Sequence, residues 1–294
     1  MVEKQVVVLS IAGFDPASGA GVTADIKTIA AHGCYGVACI TAMTVQSTTG
    51  VLRVEPSEPS LITDTLEELD ADLEIAAVRI GMLGSAKVVA AVADFLSGSV
   101  SRSPAKRRGR ARLPNIVLDP VLRSSSGTDL LDAAGTRLMI ERLIPLADVV
   151  TPNIDEAAAI TGLKVRDVEE MRAACARFHE MGAPAAVITG GHLDKAIDLL
   201  SFTTKHGVEQ EVFKADRQRS NSTHGTGCAF ATAMACHLAL DRGLAEAALL
   251  AKTYVTAAIS YGQPLGRGTG PVNHLYRMGQ QRRAAGSGSG SGSE

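Results

Sequence analysis

VVVLSIAGFDPASGAGVTADIKTIAA, residues 6–31, sets a β-branched apolar run, Val6 to Ile11, before a Gly-rich turn and an Ala-rich stretch of helical period from Ala20 to Ala31. That order reads as strand, loop, helix. The unit recurs along the chain, with short apolar runs at Val37 to Met43, Ala76 to Ile80, Ile116 to Leu118, Asp148 to Val150 and Ala185 to Ile188. Candidate helices lie between them at Ser60 to Leu69, Ala86 to Leu96, Ala133 to Leu143, Ile154 to Thr161 and Glu169 to Met181. Strands alternating with crossover helices predict a mostly parallel sheet covered on both faces. Beyond them, Ala196 to Phe202 and Val208 to Phe213 flank a Lys205-His206-Gly207 turn and predict an antiparallel hairpin at the sheet edge. Helices near Gly227 to Leu240 and Leu244 to Ser260 finish the fold. The expected architecture is α/β, a doubly wound three-layer α/β/α sandwich.

A single domain is expected over residues 1–281. The basic stretch 98–114, carrying Arg102, Lys106, Arg107, Arg108, Arg110 and Arg112 among Ser, Pro and Gly, reads as a solvated surface loop. The Gly-Ser repeats of 282–294 read as a flexible appended tail. Of the 294 residues, 46% are hydrophobic and 20% charged, the composition of a globular enzyme. A formal net charge of -2 supplies no global field to hold a polyanion, so nucleic acid and acidic membranes are poor partners. Five cysteines without a CxxC pair argue against a disulfide framework or zinc knuckle and for a reducing cytoplasm. The first residues lack the pattern of a signal peptide, and no apolar run is long enough to span a bilayer, so the expectation is a protein that is neither exported nor membrane-bound.

Thr223-His224-Gly225-Thr226-Gly227-Cys228 runs directly into the helix-forming Ala229 to Met234. Glycines let backbone N–H groups turn inward and the helix start adds partial positive charge, so the junction can cradle a phosphoryl anion. Cys228 would fall in the first turn, where the dipole favours a thiolate able to take a proton from an alcohol; it also reads as a small packing residue. Ala12 to Gly21 is a second Gly-rich element at a strand end, yet neither a dinucleotide fingerprint nor a P-loop is present. Asn153 and Glu156 have the spacing of a capping box and could also hold a hydrated magnesium ion. Asp119, before Pro120, is a carboxylate at the ligand-bearing edge of a parallel sheet or a turn starter. His192, Lys252 and His274 have surface readings.

As an ordered set these residues resemble the hydroxymethylpyrimidine/phosphomethylpyrimidine kinases of the ribokinase-like superfamily. The likeness runs from Val6 to about His274 and rests on Ala12-Gly13-Phe14-Asp15, Ser18 to Gly21, Ala24-Asp25-Ile26-Lys27, Thr41 to Gln46, Gly50-Val51, Ile80 to Leu83, Leu118 to Val121, Thr151-Pro152-Asn153, Glu156-Ala157, Gly190-Gly191-His192 and His224 to Cys228. The resemblance implies a pyrimidine pocket lined by Gly13, Asp25, Gln46, Met82 and Val121. It implies ATP and Mg2+ served by Asp119, Asn153, Glu156, Thr189 and Lys252, with Asp119, Asn153 and Glu156 at the metal, partly through water. Gly225, Gly227 and the Cys228 backbone would form the anion hole, with Cys228 as base. Thr189 stands where many relatives have Lys, and Phe14 where a smaller polar residue is common. The resemblance further implies a cytoplasmic homodimer acting on a small pyrimidine. A pyridoxal or pyridoxine kinase is the runner-up, and a pyrimidine-binding module without catalysis a third reading.

Overall fold

The computed structural model describes residues 5–99, 112–191, 196–216, 218 and 220–278. Most of the basic stretch, His192 and the Gly-Ser tail lie outside the described residues. The strands are β1 (Val7–Phe14), β2 (Tyr35–Ser47), β3 (Gly50–Pro56), β4 (Ile75–Ile80), β5 (Ile116–Leu118), β6 (Val149–Val150), β7 (Ala185–Gly190), β8 (Ala196–Thr204) and β9 (Gly207–Ala215). They form one sheet in the order β3-β2-β1-β4-β5-β6-β7-β8-β9. The six from β2 to β7 in that order are parallel, with Val7 opposite Tyr35, Val78 opposite Ile116 and Leu118 opposite Val150. Both edges are antiparallel, β3 against β2 and the β8–β9 hairpin against β7. This is a ribokinase-like α/β/α sandwich.

Alternate strand residues face opposite layers, which is why the parallel strands are apolar on both sides. Leu9, Ile11, Val78, Ile80, Ile116, Leu118 and Ile188 pack under α2 (Pro59–Asp72), α3 (Ala86–Leu96), α4 (Ala133–Arg142), α5 (Ile154–Thr161) and α6 (Val168–Glu180). Val8, Ala77, Val117, Val149, Val187 and Leu200 face α1 (Gly21–Ala31), α7 (Thr226–Ala239) and α8 (Leu244–Ser260). α7 is buried almost all round; Ala229, Ala231, Ala233 and Ala235 are fully covered, and their small side chains admit the helix between the sheet and α8.

The sequence gives no sign of β3. Leu52, Arg53, Glu55 and Pro56 are exposed, and the pairing with β2 slips between Val45 and Gln46, so neither side of the strand carries an unbroken apolar alternation. β2 likewise runs beyond its apolar stretch, to Ser47. No helix among the described residues is long and apolar enough to cross a membrane.

Candidate active site

The winding of the sheet reverses around β1, because β2 and β3 lie to one side of it and β4 onward to the other. In doubly wound folds the crevice outside such a reversal is the ligand site. Here it opens into a cleft of about 2450 Å³, roomier than a pocket for one small molecule. The cleft collects residues from the ends of β1, β4, β5, β6 and β7 and from the start of α7.

Gly225, Gly227 and Cys228 line it. Gly225 caps α7 with φ +82°, and a Cβ there would come 1.8 Å from the carbonyl oxygen of Gly19 in the β1–α1 turn. Only glycine permits both the left-handed backbone and that approach. A Cβ on Gly227 would meet nothing within 4 Å. Cys228 is partly exposed, but its thiol is desolvated: burial pushes it up to about 11, Arg79 pulls the other way, and Asp119 and Asp25 add to the rise. The expected helix-start thiolate is thus corrected. Desolvation and two carboxylates outweigh the dipole, and the resting group is a thiol.

Beneath the cleft lies an ion-pair network that the sequence reading missed. Arg79 on β4, fully buried, donates through Nη1 to Asp25 Oδ2 at 3.0 Å and through Nη2 to Asp119 Oδ2 at 2.6 Å. Ser10 donates to the same Asp25 oxygen at 2.6 Å, and Thr232 Oγ1 lies 2.7 Å from both Asp25 Oδ1 and Cys228 O. Asp25 is therefore not on the cleft wall, as the family resemblance implied, but behind it, with no exposed surface and both oxygens engaged. Its one detectable signal was on its partner: an Arg in the middle of the apolar run Ala76 to Ile80.

Asp119, at the end of β5, lines the cleft with Glu156. Asn153 caps α5, its Oδ1 accepting from Asp155 N and Glu156 N at 2.9 Å each, while Glu156 Oε2 accepts from Asn153 N at 3.0 Å. The capping box read from the sequence is complete. Burial pushes Glu156 above the usual carboxylate range and the Asp119 charge pushes it further; burial raises Asp119 too, against the pull of Arg79. Two carboxylates that resist ionising in the free protein are what a divalent cation with phosphate and water ligands would relieve. Among the described residues no group of three or more His, Cys, Asp or Glu side chains is placed to hold a metal. Thr189 borders Asn153 across a bridge and its N–H donates to Pro152 O. Lys252 lines the cleft, but its Nζ donates to Asp198 Oδ2 at 2.8 Å, so its charge is balanced within the wall. It is buried, not at the surface as first read.

A pH-dependent outcome follows for Glu156. A carboxyl raised in the fold carries no penalty below its unfolded pKa, near 4.3, and one that grows as pH climbs from there to the folded value and is constant above it. Glu156→Gln keeps the acceptor for Asn153 N and removes that penalty. In the metal-free protein its stability should match the wild type near pH 4.5 and exceed it by pH 8 to 9, by on the order of 2 kcal/mol. Paired melts at the two pH values check this, and a gap that does not widen with pH contradicts it.

Gly13, Gln46, Met82 and Val121 also line the cleft, and Gln46 Nε2 lies 3.3 Å from His224 Nε2, next to the start of α7. A Cβ on Gly13 would sit 2.9 Å from Met82 Sδ, so these two positions are packed against each other. Gln46 Oε1 accepts from Thr44 Oγ1 at 3.2 Å. Asp15 accepts from Ala17 N, Gly19 N and Ala20 N, and His224 Nε2 lies 3.0 Å from its Oδ2. Burial pushes Asp15 up, but the His224 bond and these amides together hold it below its ordinary value. His224 Nδ1 is 3.1 Å from Ser125 Oγ, tying the α7 start to the segment after β5. His274 is buried, 3.3 Å through Nε2 from Gly19 O, and burial pushes it down to about 4; it supports the Gly-rich turn and lies off the cleft.

A glycine-opened helix start facing two carboxylates across the reversal point of a ribokinase-like sheet defines a phosphotransferase of that superfamily. Comparison with known proteins narrows this. The phosphomethylpyrimidine kinase family model matches residues 15–273. The hydroxymethylpyrimidine/phosphomethylpyrimidine kinase of Streptomyces coelicolor is 39% identical over 93% of this chain and 96% of its own length. The thiamine biosynthesis bifunctional protein of Geobacter sulfurreducens is 41% identical over 91% of this chain, which spans 52% of that longer protein. Among solved structures, phosphomethylpyrimidine kinase from Clostridium difficile 630 aligns with TM-score 0.73 and 35% identity, covering 87% of this chain and all of that one. An ADP complex of Bacillus subtilis pyridoxal kinase aligns with TM-score 0.80 and 30% identity, covering 94% and 100%. The chain belongs to the phosphomethylpyrimidine kinase family.

Proposed function

We propose that the protein transfers the γ-phosphoryl group of ATP to 4-amino-5-hydroxymethyl-2-methylpyrimidine, to its monophosphate, or to both, in thiamine biosynthesis. The observation that carries the reading is that one cleft holds the glycine-opened start of α7, the Asp119–Glu156 pair, Gln46 and Met82. Phosphoryl transfer needs in-line positioning and compensation of charge spreading over the transferred group. The amides of Gly227 and Cys228 lie where a helix start leaves donors without intrahelical partners. Asp119 and Glu156 would hold magnesium, with Asn153 reaching it through water because its own oxygen is engaged at the helix cap. The ion would supply neutralisation of the phosphate charge. Cys228 borders the same cleft and would take the acceptor's proton in its ionised form, which is the minor form in the free protein. Gln46 offers an amide to a ring bearing both amino and ring-nitrogen groups, beside the apolar Met82 and Val121. A cytoplasmic homodimer is part of the same proposal and rests on the family resemblance alone.

Mass spectrometry of the products from the hydroxymethyl pyrimidine with ATP and magnesium tests the proposal and separates mono- from diphosphate. No phosphorylated pyrimidine means the substrate is wrong. The pyridoxal kinase likeness favours a second reading, so pyridoxine belongs in the same assay. Faster turnover of pyridoxine would reverse the assignment.

A further inference from the structure

The Gln46 amide is held at both ends, and the hydrogens of its neighbours decide which end is which. Gln46 follows the slip in register between β2 and β3, with one end of its amide 3.2 Å from Thr44 Oγ1 and the other 3.3 Å from His224 Nε2. Oxygen and nitrogen of a side-chain amide have the same shape, so surrounding donors and acceptors assign them. Thr44 has a single hydroxyl hydrogen, and Phe14 O, 2.9 Å from Thr44 Oγ1, can only accept it. The shorter contact takes the hydrogen, which leaves Thr44 only lone pairs for Gln46. His224 Nε2 is 3.0 Å from Asp15 Oδ2, an oxygen that also accepts from Gly19 N and Ala20 N and belongs to a carboxyl held below its ordinary value. An ionised carboxylate only accepts, so Nε2 carries a hydrogen whether the imidazole is neutral or charged. Ser125 Oγ, 3.1 Å from Nδ1, can donate or accept and fits either state. Toward Thr44 the amide must donate, and toward His224 it must accept.

We propose that His224 is a positioning residue for ring recognition: its Nε2–H, fixed by Asp15, acts with Thr44 to turn the Gln46 amide so that Oε1 faces His224 and Nε2 faces Thr44. This is the reverse of the arrangement in which Oε1 accepts from Thr44, which would strip Phe14 O of its donor and set an amide N–H against an imidazole N–H. The inference rests on the proposed function, and the order of groups on that substrate fits it. In 4-amino-5-hydroxymethyl-2-methylpyrimidine the amino group stands between the hydroxymethyl group and ring nitrogen N3. His224 directly precedes Gly225, so with the hydroxymethyl group toward the start of α7 the amino group meets the His224 end of the amide and N3 the Thr44 end. Oε1 keeps a second lone pair for the amino group, and Nε2 a second hydrogen for N3. The 4-oxo ring of the same shape carries a carbonyl and an N3–H, the opposite pattern, and would set oxygen against oxygen and N–H against N–H. Leaving such groups unpaired is how a site rejects an analogue of equal size.

The test compares the amino ring with 5-hydroxymethyl-2-methylpyrimidin-4-one in the wild type, His224→Gln, His224→Leu and Thr44→Val, with folding verified by thermal melting. Isothermal titration calorimetry gives Kd for each ring, and steady-state kinetics gives kcat and KM. The wild type should favour the amino ring by about a hundredfold or more in Kd. In His224→Leu the amide is free to turn over, so the preference should shrink to within about tenfold, because the amino ring binds more weakly and the oxo ring does not. KM should carry more of that change than kcat. His224→Gln keeps an N–H donor near the place of Nε2 and should retain most of the preference. Thr44→Val removes the acceptor at the other end of the amide and should erode the preference too, so it decides if His224→Leu does not fold. A folded His224→Leu or Thr44→Val that weakens both rings equally overturns the proposal, since that is what a purely structural role would give. A wild type that binds the amino ring selectively but phosphorylates neither ring overturns the kinase reading, and the binding ratios still decide the role of His224.

Discussion

Cys228→Ala is expected to lower kcat roughly a hundredfold or more while KM for the pyrimidine moves less than about threefold. The change removes one sulfur from a position that borders the cleft and leaves the helix start intact. The amides of the first turn are backbone groups and persist in the variant, so charge compensation at the phosphate survives and only acceptance of the proton is lost. Stability should stay within about 1 kcal/mol of the wild type, since the residue is partly exposed and no cavity is made in the core. Steady-state kinetics with a thermal melt measures both. Full kcat in the variant would remove the sulfur from the chemistry. A Tm loss equal to the activity loss would make Cys228 a packing residue.

Gly225→Ala should be among the most damaging single-methyl changes at the described glycines. The added methyl must occupy a left-handed backbone, a cost of about 1–2 kcal/mol, and it would strike the Gly19 carbonyl at 1.8 Å. Relief requires the β1–α1 turn and the start of α7 to part, and that turn is also held by Asp15, His224 and His274. Together these should lower stability by about 3 kcal/mol or more, a Tm fall of roughly 6 °C or more at this size. The anion cradle should be displaced as well, with kcat reduced about a hundredfold. Gly227→Ala is the control, because its Cβ meets nothing, and it should leave Tm within a degree or two. Equal melting temperatures for the two variants would show that the turn yields easily.

The parallel strands and their helices were legible because burial on both faces writes β-branched runs between Ala-rich helical stretches, as at Val6 to Ala31. The α7 junction and the Asn153–Glu156 box were legible for a different reason: their chemistry is local, a few residues apart in the chain. β3 was not, since an edge strand with exposed Leu52, Arg53 and Glu55 has no burial pattern to display. Asp25 and Arg79 were misplaced or missed because their meaning lies in a contact between residues 54 apart, and neither one announces its partner. The thiol of Cys228 shows the limit most plainly. Its place at a helix start is written in the chain, but its environment is set by β4, β5 and α1 together.

The burial of α7 ties chemistry to core in a way that bears on how this scaffold can change. Ala229, Ala231, Ala233 and Ala235 leave no slack, so enlarging any of them moves the helix whose first turn is proposed to hold the phosphate. Selection for a new acceptor is therefore channelled away from that helix and toward β2 and the segment following Asp119, whose Gln46, Val121 and Arg123 line the cleft outside the packed core.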